Sequence, residues 1–526
     1  MPEAGAERPP LIFIGGADDT VSLLSKTAQQ AGFDTAHISP DLNPGGTADQ
    51  QQAVCVWLDA LACGGIPDDA ALWSLVSYCK DCQQAQRRSR LLILTQGAQG
   101  DEATVHPLQS AFWGAVRSLA IECPDISLLL VDIAPDVQPP EALAELLPCL
   151  DTLFAAQDML RRDKTGWQSP RIQPAVAQAA TDMPDGFTSD GVHLVCGGTG
   201  AIGGYLMDWL VASGVRHLVV TGRGEPGALA RSTFERYRLA GVDLRYERVD
   251  LSDIAAMRAV FERIDQSGLP LRSVFHCAGV GLFDTLETIT AEAFSAVVQS
   301  KIHGAWVLHE LTRERPDLAT FALFSSISGI WGSRLQIHYG AANAYQDALV
   351  RMRRAQGLPG LAIAWGPWGG KGGLSDLEDD LLDLLRRARI NKFEPSRGVA
   401  TLERLLKTSA GNWVAVDVDW SAFAPLYRAF GRSNLLEHVA PSVQTQETGA
   451  RPDWKRLSAQ ERAEIIDRFV TERLQHVLKV DVSSLSDAVD LIGLGLDSIL
   501  VMDFARIVSR DLGVTCPLRG VFENAT

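Results

Sequence analysis

The feature that most constrains this chain is a rhythm of short apolar runs alternating with longer amphipathic stretches, sustained from Leu11 to about Trp420. The runs are Leu11 to Ile14, Ala53 to Trp57, Leu91 to Thr95, Ser127 to Asp132, then Val192 to Val195, His217 to Thr221, Ser273 to Cys277, Thr320 to Ser325 and Leu361 to Ala364. Uninterrupted apolar runs of this length suit strands buried on both faces, and amphipathic spacers suit the helical crossovers that parallel strands require. The expectation is an α/β fold with parallel sheets covered by helices. Thr181 to Asp190, polar and containing Pro184 and Gly186, reads as a connector between two sets of strands.

The two sets look like a divergent duplication. Ile12-Phe-Ile-Gly-Gly matches Leu194-Val-Cys-Gly-Gly, and Leu91 to Gln96 matches Phe321 to Ser326. His106-Pro-Leu-Gln-Ser-Ala-Phe-Trp falls over His338-Tyr-Gly-Ala-Ala-Asn-Ala-Tyr, so Pro107 stands where the second half has Tyr339 and Ala111 where it has Asn343. The first half is therefore expected to be a nucleotide-fold copy without reaction chemistry. Pro441 to Asp453, rich in Gln, Thr, Ser, Gly and Pro, reads as a flexible linker. Beyond it, Trp454 to Val480 has helical periodicity and the remainder to Thr526 reads as a short all-helical segment.

Composition narrows the partners. The 526 residues, 46% of them apolar, are enough for about two to four domains. Lys plus Arg numbers 48 against 64 Asp plus Glu, a formal charge of −16, which offers no general attraction to nucleic acid or anionic lipid. The nine cysteines are scattered, and Cys123, Cys196 and Cys277 sit in apolar runs as small core residues. Cys79 and Cys82 form an isolated C-x-x-C without a second pair or a histidine partner, so no metal site is expected. There is no signal-peptide pattern and no run of about 18 apolar residues, and a cytoplasmic protein without membrane contact is expected.

Val192-His-Leu-Val-Cys-Gly-Gly-Thr-Gly-Ala-Ile-Gly-Gly is a buried strand entering a turn with Gly197, Gly200 and Gly203, followed by an amphipathic helix. Glycines there let the backbone approach a pyrophosphate, and amides at the helix start donate to it; Gly198, Thr199 and Ile202 complete the turn. Such a triplet also serves tight turns for structural reasons alone. The next strand ends Val219-Val-Thr-Gly-Arg223, which puts a cation where many dinucleotide enzymes carry an acid. That suits a 2′-phosphate and favours NADPH; the alternative is a solvated loop arginine. Asp250, beside Leu251, could cap the next helix or accept from the adenine amino group. His276-Cys-Ala278-Gly279 closes another strand and reads as cleft wall.

Tyr339 and Asn343 are four apart in a helical pattern and share a face, while Ser326 lies at a strand end that can reach the same cleft. A buried phenol can give its proton to a carbonyl oxygen as hydride arrives at carbon, provided a cation and donors stabilise the developing charge. Lys301 is the candidate cation.

With Cys196-Gly-Gly-Thr-Gly-Ala-Ile-Gly, His276-Cys-Ala-Gly-Val, Lys301-Ile-His-Gly-Ala-Trp-Val-Leu-His-Glu-Leu, Leu323-Phe-Ser-Ser-Ile-Ser-Gly and Ala364-Trp-Gly-Pro-Trp-Gly in place, the chain from Leu11 to about Gly431 resembles a polyketide synthase ketoreductase, a branch of the short-chain dehydrogenase/reductase family. The resemblance implies two Rossmann-like subdomains, a truncated structural one over 1–185 and a complete NADPH-binding catalytic one over 186–437, then a linker over 438–453. It implies that Tyr339 donates the proton, Ser326 hydrogen-bonds the substrate carbonyl, Lys301 supports the tyrosine and the cofactor ribose, and Asn343 orders the set. The implied reaction is NADPH-dependent reduction of a carrier-tethered β-keto acyl thioester.

Gly281-Leu-Phe283 replaces the Leu-Asp-Asp common in reductases that give the D-alcohol. Trp331, eight residues before Tyr339, resembles the type that gives the L-alcohol, and Gln336 differs from the histidine of the epimerising subset. The resemblance therefore implies an A-type, non-epimerising reductase giving the L-hydroxy product, with a buried core aromatic as the other reading of Trp331. The glycines from Gly369 to Gly373, followed by the Leu-rich acidic Leu374 to Leu385, suggest a lid over the substrate or a plain loop.

Leu494-Gly-Leu-Asp-Ser498-Ile-Leu resembles the phosphopantetheine attachment site of an acyl carrier domain, a small helical bundle here assigned to 454–526. The resemblance implies 4′-phosphopantetheine on Ser498, a phosphopantetheinyl transferase to install it, and other polyketide synthase domains as partners. Carrier domains have a further helix after Phe-Glu-Asn, so ending at Thr526 implies a shortened carrier. The competing readings are a non-reducing scaffold that presents the carrier, and a reductase of a fatty acid or hybrid peptide assembly line.

Overall fold

A computed structural model of the chain describes residues 8–40, 53–63, 67, 69–100, 105–123, 125–156, 159–175, 187, 189–370, 385–386, 388–408, 411–429, 434–440, 458–478 and 508. Two compact units are distinguished: Met1–Pro170, Ala175–Leu381 and Asn391–Asp417 in one, and Arg171–Pro174, Leu382–Ile390 and Val418–Thr526 in the other. Among the described residues no helix is long and apolar enough to cross a membrane.

The first unit holds two seven-stranded sheets. One is built from β1 (Leu11–Ile14), β2 (Thr35–Ile38), β3 (Val54–Trp57), β4 (Ser89–Gln96), β5 (Ile126–Ile133), β6 (Met159–Asp163) and β7 (Gly166–Gln168), in the order β2-β1-β3-β4-β5-β6-β7. It is parallel except for the terminal β6–β7 hairpin. The other contains β8 (Val192–Cys196), β9 (His217–Gly222), β10 (Asp243–Arg248), β11 (Leu271–His276), β12 (Thr320–Ser326), β13 (Leu361–Trp365) and β14 (Asn412–Ala415), in the all-parallel order β10-β9-β8-β11-β12-β13-β14. β8 and β11 are neighbours although the chain visits β9 and β10 between them. That reversal opens a crevice at their carboxyl ends, where open α/β sheets bind ligands.

The first sheet is the shorter copy. Between β9 and β11 the chain makes two helices and β10, whereas only residues 39–53 separate β2 from β3. Its glycine turn is also closed. Gly15 and Gly16 have φ of +68° and +87°, and Gly16 N donates to the Asp59 carboxylate at 3.0 Å. A Cβ on Gly15 would lie 1.8 Å from Asp59 Oδ1, and the helix that follows opens with Asp18 and Asp19. A pyrophosphate entering that turn would meet three carboxylates.

The two sheets are joined through helices α1 (Pro107–Glu122) and α3 (Ile337–Ala355), with α2 (Ala201–Ala212) following β8. α1 is apolar nearly all round, and every residue from Pro107 to Leu119 is buried, as a helix enclosed on all sides must be. The crossing is tight. A Cβ on Gly114 would stand 2.1 Å from Gly340 O, and one on Gly340 would stand 2.8 Å from Gly114 O.

In the second unit, Ser458 and Glu461 form a reciprocal capping box: Ser458 N donates to Glu461 Oε2 at 2.8 Å and Glu461 N to Ser458 Oγ at 3.3 Å. This starts the helix Ala459–Leu478, which lies within the helical segment expected from Trp454. Ser498, expected to carry the phosphopantetheine, the stretch 371–384, expected to be a lid or a plain loop, and most of the expected linker lie outside the described residues.

Candidate active site

The glycine turn after β8 fits a dinucleotide. Gly197 has φ +87°, and a Cβ there would fall 2.6 Å from Ala278 N and Cα, at the adjacent strand end. A Cβ on Gly203 would fall 2.5 Å from Gly197 O, so the first turn of α2 closes directly on the loop. Gly200 caps α2 without a side-chain hydrogen bond, and Ala201, Ile202 and Gly203 supply first-turn amides suited to phosphate oxygens. Gly198 packs against Val220, while Thr199 lies exposed beside Gly222.

The other residues expected around the cofactor lie at the carboxyl ends of neighbouring strands. Arg223 is exposed directly after β9 and makes no ion pair among the described residues. Leu251 packs against Gly304, where a Cβ would meet its side chain at 2.9 Å. Asp250 is not the helix cap. It accepts from Ser252 N and Oγ at 2.9 and 2.7 Å, while Asp253, directly before the helix Ile254–Asp265, accepts from Ala255 N and Ala256 N. Asp250 stands too far upstream of the first turn to reach those donors. His276 is fully buried against the backbone of Ser300 and Lys301; burial and the lysine charge push its imidazole down to about 3, leaving it neutral. Gly279 leaves room for the Lys301 stem, since a Cβ would sit 3.1 Å from its Cε.

Lys301 lies on a single π-helical turn, Gln299–His303, a local widening often found at functional sites. Its buried ammonium donates to Phe324 O at 2.8 Å, Asn343 Oδ1 at 2.9 Å and Gln346 Oε1 at 3.2 Å, and lies 5.1 Å from the centre of the Tyr339 ring. Asn343 Nδ2 donates back to Tyr339 O at 2.7 Å. The structure thus brings Lys301, Asn343 and Tyr339 together. Ser326 ends β12, two residues after the Phe324 carbonyl that holds Lys301, and its Oγ accepts from Ser328 N at 3.3 Å.

Burial sets the electrostatics. It pushes Lys301 down to about 7, opposed by Asp347, whose own carboxyl burial raises to about 6. Burial also raises the Tyr339 phenol, with Asn343 opposing, so the tyrosine holds its proton at neutral pH. Trp331 is buried at the end of the short helix Ser328–Trp331, and Gln336 is half-buried at the start of α3.

Two residues escaped the sequence reasoning. Gln346 is the third acceptor of Lys301 and donates Nε2 to Lys301 O at 3.3 Å, so it grips the lysine at both ends. Asp347 is the nearby buried carboxylate. Their position, three and four residues after Asn343 on one helix, was the available signal.

Residues 191–370 match the family model "KR domain", and residues 468–526 match "Phosphopantetheine attachment site". Polyketide synthase GfsA of Streptomyces halstedii is 34% identical over 375 residues, 70% of this chain and 5% of that protein. Erythronolide synthase EryA3 of Saccharopolyspora erythraea is 30% identical over 451 residues, 84% of this chain and 14% of that protein. The chain thus spans a small part of these relatives. A solved A1-type ketoreductase, 28% identical, superposes with a TM-score of 0.71 over 83% of this chain and 94% of its own. On these grounds the chain carries a ketoreductase domain of the kind found in polyketide synthases and, after it, a phosphopantetheine attachment domain.

Proposed function

We propose that this chain reduces a carrier-bound β-keto acyl thioester to the β-hydroxy thioester with NADPH as reductant, during polyketide assembly. The observation that carries the reading is the Lys301–Asn343–Tyr339 cluster, held beside a glycine turn with no room for a side chain at Gly197 or Gly203. The glycine turn and Arg223 would hold NADPH, the arginine by its 2′-phosphate, and the bound cofactor would supply the hydride for the β-carbon. Tyr339 gives its phenolic proton to the carbonyl oxygen, so one hydride and one proton complete the alcohol. Ser326 donates a hydrogen bond to that oxygen and holds the carbonyl in place. Lys301 as an ammonium stabilises the charge left on the Tyr339 oxygen, and Asn343 fixes the lysine relative to the tyrosine.

The product is the L-alcohol, without epimerisation at the α-carbon. Gly281-Leu-Phe283, Trp331 and Gln336 support this, as does the likeness to an A1-type ketoreductase. The substrate hangs from phosphopantetheine on Ser498, installed by a phosphopantetheinyl transferase, and tethering raises its effective concentration so that intrinsic affinity for the acyl chain can be low. The reaction takes place in the cytoplasm among other polyketide synthase domains.

The test follows NADPH consumption with a diffusible β-ketoacyl thioester and resolves the alcohol by chiral chromatography. Tyr339→Phe should lower turnover by at least about 100-fold while NADPH still binds, and the parent should give the L-alcohol. Undiminished turnover in Tyr339→Phe would overturn the mechanism, and a D-alcohol would overturn the stereochemical assignment.

A further inference from the structure

We infer that Glu122, in the half of the chain without reaction chemistry, is a positioning residue that sets product handedness by clamping together the Gly281–Leu286 stretch and the Trp331–Gln336 loop. The inference rests on the reductase reading above. One carboxylate at the end of α1 accepts from two backbone amides far apart in sequence. Glu122 Oε2 accepts from Leu286 N at 3.3 Å, and Oε1 accepts from Leu335 N. Asp284 N donates to Leu335 O at 3.0 Å, which closes a ring through Glu122, Leu335, Asp284 and Leu286. The ring joins the two segments that carry the stereochemical fingerprint.

The loop is held under constraint. Leu335 has φ +65°, a left-handed conformation unfavourable for a branched side chain and kept only where the surroundings impose it. α1 supplies those surroundings. Arg117 Nη1 donates to Gly329 O at 2.6 Å, and Ser118 Oγ accepts from Ser333 N at 3.1 Å. A Cβ on Gly332 would stand 2.4 Å from Arg117 O, so the loop backbone lies directly on the helix backbone. The clamp also leads toward the proton donor: Asp284 Oδ2 is 3.6 Å from Nε2 of the buried His338, the residue before Tyr339.

A carboxylate suits this task because it offers two acceptors side by side to two N–H donors. A carboxamide of nearly the same shape keeps one acceptor and turns an NH2 toward the other donor, so Glu122→Gln must release one tie. The segments then shift relative to each other, and the carbonyl presents its second face more often.

The experiment compares the parent with Glu122→Gln and Leu335→Gly, which loosens the loop from its other end because glycine adopts positive φ freely. Readouts are the enantiomer ratio of the alcohol, NADPH affinity, the pH profile of turnover, and amide hydrogen exchange at Leu286 and Leu335. Both variants should lower the enantiomer ratio by about tenfold, and Glu122→Gln should speed exchange at one or both amides by about tenfold. NADPH affinity and the pH profile should stay as in the parent, because the glycine turn and Lys301 are untouched. A merely structural role would slow both enantiomers equally and leave the ratio fixed, and that result overturns the inference. If the parent makes no alcohol, the reductase reading fails, while the exchange measurement still judges the clamp: unchanged exchange in Glu122→Gln overturns it.

Discussion

Replacing Gln346 by leucine should move the pH dependence of reduction. Gln346 accepts one of the three Lys301 hydrogen bonds, at 3.2 Å. A hydrogen bond to a charged group contributes about 1.5–3 kcal/mol net, and this length puts it near the low end. Leucine fills the space without an acceptor, so the ammonium loses about 1.5 kcal/mol relative to the neutral amine. One pKa unit corresponds to about 1.36 kcal/mol, so Lys301, already pushed down to about 7, should fall by about one further unit. In the proposed mechanism Lys301 stabilises charge on the Tyr339 oxygen only while protonated, so turnover should fall as pH rises through the lysine's pKa. In Gln346→Leu that falling limb moves to lower pH, and near neutral pH the protonated fraction drops from about a half to about a tenth, roughly fivefold in rate. Gln346→Glu places a negative charge at the same spot and should move the limb upward. The neighbouring groups, Asp347, His276 and Cys277, are the same in all three proteins. The assay is turnover under saturating cofactor and thioester across about pH 5 to 9, with melting curves to confirm folding. Three superimposed profiles, or both variants moving the same way, would show that Gln346 does not hold the Lys301 charge.

Two further outcomes follow from the geometry. Arg223→Asp should raise the Kd for NADPH by about 10- to 100-fold, the cost of a lost charged contact, and leave NADH binding unchanged or tighter; parallel changes for both cofactors would remove Arg223 from the 2′-phosphate site. Gly114→Val should destabilise the fold by at least about 2 kcal/mol in denaturant unfolding, because its Cβ would meet the Gly340 carbonyl at 2.1 Å and neither helix backbone can yield cheaply; an unchanged midpoint would show that the crossing tolerates side chains.

The inner strands were legible because burial on both faces leaves a mark in the sequence: Leu11–Ile14 and Val192–Cys196 are apolar or nearly so and buried throughout. Edge strands leave no such mark. Asp243–Arg248 and Asn412–Ala415 are half-exposed and mix charged or polar residues with apolar ones, so they do not stand out as apolar runs. The grouping of Tyr339 with Asn343 was legible through motif spacing, since the two share one helix face. Gln346 and Glu122 were not. Their roles depend on which backbone or side chain the fold carries to them, Lys301 from another helix and Leu286 and Leu335 from distant loops. Of the two roles open to Asp250, a helix cap or an acceptor for the adenine amino group, the first falls away, because the helix begins later and Asp253 caps it.

The union of the two sheets in one polypeptide has an evolutionary consequence. A pair of identical subunits meeting across α1-like and α3-like helices would carry the same residue at every matched position. The alignment that lays His106 on His338 lays Glu122 on Arg354, and such a pair could not present an acid in one copy and a base in the other. Covalent linkage lifts that restriction and makes the pairing indifferent to dilution. One copy is then free to lose its nucleotide turn and its tyrosine and to become a fixed support for its sibling.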